Sequence, residues 1–132
     1  MSTAENQVSD GELKKVIADF LDQGLIENIV AMFRREPMYY LWTGELLTDE
    51  RFSVRLGISV LFEELRELQP DRLSLAVPSL AEVLNSSEPL YRGEAISILG
   101  IIGSEEALNH VRTLCDDPSP QVREMVQMVL DD

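Results

Sequence analysis

Asn85-Ser86-Ser87-Glu88-Pro89-Leu90-Tyr91-Arg92 is matched further along the chain by Asp116-Asp117-Pro118-Ser119-Pro120-Gln121-Val122-Arg123. A third version stands upstream as Thr48-Asp49-Glu50-Arg51-Phe52-Ser53-Val54-Arg55. Each version has a polar turn, then an apolar residue, then arginine. Three residues beyond each arginine comes a core-type residue: Ile58, Ala95 or Val126. Arg55, Arg92 and Arg123 fall 37 and 31 positions apart. The segments that precede two of the turns also match, with Val77, Leu80, Val83 and Leu84 aligning without gaps on Leu108, Val111, Leu114 and Cys115. A period of this size marks a stack of supersecondary units, each unable to bury its apolar face alone.

Outward from these turns the chain reads as helix after helix. Ser9-Asp10-Gly11-Glu12 has the form of a capping box, and Leu13, Val16, Ile17, Phe20 and Leu21 follow at helical spacing towards Gly24. Leu25 to Arg35 repeats the pattern, with Arg34 and Arg35 placed in the last turn, where cations suit the helix dipole. Pro37 suits the first turn of a third helix carrying Met38, Tyr39, Leu41, Trp42, Leu46 and Leu47. Arg51 to Leu68 is the longest stretch, with Phe52, Val54, Ile58, Leu61, Phe62, Leu65 and Leu68 on one broad face. Pro78 interrupts 72–84, which predicts a short helical turn, a break and a restart. Helices at 89–102 and 105–115 meet at Gly103-Ser104, and a last one runs from Pro120 towards Leu130. No alternating strand pattern of useful length occurs. The expected fold is all-α, with a polar tail at 1–8 and one helical repeat domain at 9–132.

The turn-apolar-Arg entry, the run Ala95-Ile96-Ser97-Ile98-Leu99-Gly100-Ile101-Ile102-Gly103 and the opening Glu105-Glu106-Ala107-Leu108 together resemble HEAT repeats, especially the short bacterial kind. The resemblance is best over 85–132, moderate over 48–84 and weak before that. It implies an α-α superhelix of about four antiparallel helix pairs, acting as a protein-binding scaffold through the concave face lined by the second helix of each pair. The solvent-facing positions on that face are then Trp42, Glu45, Ser79, Glu82, His110 and Thr113, with Glu106 and Arg112 at the margin. Arg55, Arg92 and Arg123 take a structural part, each reaching to a carboxylate or carbonyl in the preceding turn.

Composition narrows the partner. The 132 residues carry 24 acidic against 11 basic side chains, a formal charge of -13. Nucleic acid and anionic lipid both call for a basic face, so neither is an expected partner. An acidic surface suits a basic protein, and an inhibitor or immunity-type protein that masks such an effector is one form of that reading. The lone Cys115 excludes an internal disulfide. The first dozen residues have neither the basic start nor the apolar stretch of a secretory signal, which makes the cytoplasm the expected location.

No catalytic, metal or cofactor constellation emerges. His110 and Cys115 lie five apart on a helix and so share no face, and Cys115 aligns with Leu84 as a small core residue. No phosphate-binding glycine loop or nucleophile elbow occurs. The expectation is a protein that is not an enzyme and needs no cofactor. The rival is a small enzyme or ligand-binding protein using a groove between repeats. Two further surface candidates remain. Tyr39-Tyr40-Leu41-Trp42 is too bulky to be buried whole, so Tyr39 or Tyr40 is expected to turn outward as an anchor. The last helix is the first of a pair, and Met125 and Met128 offer a face for a partner or for a homodimer.

Overall fold

The computed structural model describes residues 8–131. Of the tail expected at 1–8, all but Val8 lies outside the described residues. Helix α1 (Asp10–Asp22) starts at a complete capping box, in which Ser9 Oγ accepts from Glu12 N at 3.1 Å and Glu12 Oε1 accepts from Ser9 N at 3.3 Å. Gly24, at φ 79°, turns the chain into α2 (Ile26–Arg35). The chain then makes a 3-10 segment, Pro37–Trp42, that runs straight into the short helix α3 (Thr43–Leu47). After α4 (Phe52–Leu68) the same device returns, a 3-10 segment Pro70–Ala76 followed by α5 (Val77–Val83). Helices α6 (Pro89–Ile102), α7 (Glu105–Arg112) and α8 (Pro120–Leu130) complete the described chain.

These elements form two layers. α1, α4, α6 and α8 pack side by side in the first. The two 3-10 segments with α3 and α5, and then α7, form the second, and α2 wedges against α1, α4 and the first 3-10 segment. The molecule is all-α among the described residues, a stack of helical units in which α8 is the last first-layer member. Apolar side chains from both layers meet in one continuous core. At one end that core is aromatic, with the rings of Phe33, Tyr40 and Phe62 set edge to face at 5.0, 6.1 and 6.5 Å between centroids.

Close approach at the seams explains three glycines. A Cβ on Gly44 would stand 2.3 Å from the Ser79 carbonyl oxygen, one on Gly57 would stand 3.0 Å from Leu21 Cβ, and one on Gly100 would stand 2.7 Å from Val129. Gly44 therefore lets α3 lie against α5, and the other two bring first-layer helices together.

Several expectations need correction. Phe52 is 64% exposed and Leu68 also faces solvent. They are the first and last residues of α4 and overhang the neighbours that cover its middle, the Phe52 ring lying 5.8 Å from the Arg55 guanidinium carbon. α7 stops at Arg112 instead of reaching 115, because tight turns at Thr113, Leu114 and Cys115 replace the helical ladder. Cys115 is consequently exposed, on a turn that no later second-layer element covers among the described residues.

Candidate protein-binding surfaces

The repeated arginines hold the stack. Arg55 Nη1 donates to the Asp49 and Glu50 carbonyls at 2.7 and 2.9 Å, Arg92 Nη1 to the Ser86 carbonyl at 2.9 Å, and Arg123 Nη1 to the Asp117 carbonyl at 2.6 Å. In each unit an arginine thus clamps the carbonyl six residues before it, tying the turn to its own helix. The carboxylates come from the following unit, not from the preceding turn. Arg55 Nε donates to Glu94 at 3.0 Å, and Arg92 grips Asp117 with two donors. Arg123 has no carboxylate partner among the described residues. The hydrogen bond from Arg92 holds the Asp117 carboxyl below the usual carboxylate range, outweighing burial.

A shallow groove of about 400 Å³ lies between α3 and α5 on the second layer. Leu41, Glu45, Ser79, Glu82 and Val83 line it, with Gly44 at its floor. Here the chain brings together three residues expected on a binding face: Glu45, Ser79 and Glu82. Ser79 is engaged within the fold, accepting from Gly44 N at 3.0 Å and donating to the Ala76 carbonyl at 3.2 Å. Glu82 is exposed, and no cationic side chain lines the groove. Glu45 meets Lys14 at 2.9 Å, whose ammonium also sits 5.0 Å from the Trp42 ring centroid.

The aromatic run divides differently from the expectation. Tyr40 is fully buried, and its hydroxyl donates to Gln69 Oε1 at 3.1 Å, so it is withdrawn from any surface role. Burial pushes its phenol up to about 12, against a smaller opposing influence from Arg72. Tyr39 is half-buried between Phe33 and Trp42, and Trp42 is half-buried too. The residue turned outward is Leu41, 55% exposed, an aliphatic side chain that the spacing of the apolar residues places on the packed face. A 3-10 rise puts side chains three apart in line, so Tyr40 and Thr43 face inward together and Leu41 cannot.

The α7 candidates stand apart from this groove. Glu106 and Thr113 are exposed, His110 is half-buried, and Arg112 pairs with Glu105 on its own helix at 3.0 Å. Thr113 Oγ1 donates back to the His110 carbonyl at 2.6 Å, finishing the helix. Met125 and Met128 lie on α8, the last first-layer helix among the described residues. They border a valley between α6 and α8 on the first layer, with Met128 60% exposed. Among the described residues no group of three His, Cys, Asp or Glu side chains gathers as a metal centre would, and no helix is long and apolar enough to cross a membrane.

A comparison with known families matches HEAT repeats over residues 44–131. No curated protein and no solved structure matches the chain. The matched span takes in the three turn-apolar-Arg units, the clamped carbonyls and both second-layer 3-10 and α combinations except the first 3-10 segment. With the two-layer stack in place, the chain belongs to the HEAT-repeat family.

Proposed function

We propose that the chain is a non-catalytic protein-binding module, docking a basic partner surface on the second layer. HEAT repeats commonly serve as interaction scaffolds, which supports the general class. The observation that carries the specific reading is the α3–α5 groove, where exposed Leu41 lies beside Glu82, which meets no cation among the described residues, and Glu45, which Lys14 holds from outside the groove. An apolar anchor flanked by carboxylates suits an aliphatic stem ending in an ammonium or guanidinium. Long-range attraction from the net charge of -13 speeds encounter at low ionic strength.

The test is capture of partners from the native cell at low and high salt, by the wild-type chain and by a Glu45→Gln/Glu82→Gln variant. The reading requires basic proteins enriched at low salt, released at high salt, and lost from the double variant. Captured proteins no more basic than background, or unchanged in the variant, would overturn it.

A further inference from the structure

The first layer carries an unfilled valley whose floor is α6. At its upper end Leu90, Gly93 and Glu94 face Gln121, Val122 and Met125 of α8 across a hollow of about 340 Å³. Further along, Ser97, Gly100 and Ile101 face Met128 and Val129, with Glu63 and Arg66 of α4 on the other side, across about 380 Å³. Met125 borders both hollows, so they are one feature. From Leu90 to Ile101 the floor runs about 16 Å at 1.5 Å per residue, three turns of helix.

Gly93 marks this valley as more than a packing gap. Glycine inside a helix costs about 0.5–1 kcal/mol relative to alanine. Gly44, Gly57 and Gly100 answer that cost with a neighbour that a Cβ would strike. At Gly93, within α6, a Cβ would meet nothing within 4 Å. Gly11 is equally open, but it lies in the first turn of α1. The fold itself gives no reason for the bare backbone at Gly93, whereas close approach by another chain does.

The walls indicate what approaches. Met125 and Met128 are flexible, polarizable side chains suited to an irregular apolar surface. Exposed Glu124 adjoins Met125 on α8, while the two carboxylates that line the valley are already engaged, Glu63 by Arg66 and Glu94 by Arg55, each at 3.0 Å. Residues 87–132 carry a net charge of -6. We infer that the valley along α6 receives an amphipathic helix of a partner protein, its apolar side on Leu90, Gly93, Met125 and Met128 and its flanks basic. This surface shares no residue with the α3–α5 groove and lies on the other layer.

A labelled 15-residue peptide of leucine and lysine, with leucines at helical spacing, is the probe, and its affinity for the full chain is read by fluorescence anisotropy. A peptide of the same composition with strictly alternating residues has no helical apolar face and reports plain charge attraction. The patterned peptide binds saturably and at least tenfold more tightly than the alternating one. Gly93→Leu, whose Cβ has no neighbour within 4 Å, projects into the valley and weakens the patterned peptide at least tenfold, with no drop in Tm. Met128→Glu does the same from an exposed position if Gly93→Leu disturbs folding. Glu45→Gln/Glu82→Gln leaves this binding within twofold. Equal binding of the two peptides, or undiminished binding by folded valley variants, overturns the inference. So does loss of binding in the Glu45/Glu82 variant, which assigns the peptide to the second layer.

Discussion

Arg92 Nε and Nη2 meet Asp117 Oδ1 and Oδ2 at 2.9 Å each, a two-pronged ion pair joining the start of α6 to the turn before α8. The Asp117 side chain is nearly out of solvent, and its second oxygen also accepts from Ser119 N at 2.9 Å. Arg92 in turn holds the Ser86 carbonyl at 2.9 Å. One guanidinium therefore fixes two turns and the spacing between two first-layer helices.

Removing either partner leaves the other uncompensated in a largely dry place. Arg92→Ala and Asp117→Ala should each lower unfolding free energy by about 3 kcal/mol in urea titrations. Arg92→Lys should recover little, because an ammonium cannot present two parallel donors and reach a third acceptor. Arg123→Ala loses only the single carbonyl contact among the described residues and should cost about 1 kcal/mol.

The same pair sets acid sensitivity. The folded-state pKa of Asp117 lies below its unfolded value, so its stabilisation is complete above the ordinary carboxylate range and lost as pH falls through the folded value. Asp49, lowered first by its hydrogen bond from Arg51, adds in the same direction. Urea midpoints should fall steeply below about pH 4. Asp117→Asn should be less stable at pH 7 and show a flatter acid limb.

Tyr40 gives the opposite limb. Its folded pKa of about 12 lies above the ordinary value, so its contribution is present below pH 10 and is lost as pH rises through the folded value. Thermal melts should show stability falling from pH 10 upward. Tyr40→Phe should lose about 1 kcal/mol at pH 7 with the Gln69 hydrogen bond, and should flatten that alkaline fall.

Two alanine substitutions should move in opposite directions. Gly44→Ala drives a methyl into the Ser79 backbone carbonyl, which cannot swing aside, and should cost at least about 2 kcal/mol or break the α3–α5 contact. Gly93→Ala meets open space in a helix and should raise stability by about 0.5–1 kcal/mol. Paired thermal melts decide both.

The repeat was legible because its signals are local and chemical. Ser9 and Glu12 announce a capping box that two hydrogen bonds complete, and the turn-apolar-Arg units announce clamps that sequence spacing alone can place. The likeness between the segments after Pro37 and Pro70 is hidden in the sequence for a definite reason. Pro37 and Pro70 open matching second-layer units, with Tyr40 answering Leu73 and Thr43 answering Ala76 in burial, but a 3-10 segment breaks the α period of the apolar pattern. The same change of pitch turned Leu41 out and Tyr40 in. Gly44 was legible only as a weakness in a helix, since the carbonyl that needs it belongs to Ser79 in the next unit. Cys115 aligned with a buried leucine, yet burial depends on what stacks next, which an alignment of one unit on another does not contain. The α6 valley had no signal beyond a glycine and two methionines until three helices set its walls.

The aromatic seam and the Arg92–Asp117 tie occupy different ends of the stack, with Phe33, Tyr40 and Phe62 at one and α6 and α8 at the other. Alkali therefore bears on the aromatic end, and acid chiefly on the Arg92–Asp117 end, since the Asp49–Arg51 pair beside α1 is more exposed to solvent. Hydrogen exchange under acid should spread first through the amides of α6 and α8, and under alkali first through α2 and the segment after Pro37. The array would come apart from whichever end the solvent chooses, with α4, which touches both, the last to let go.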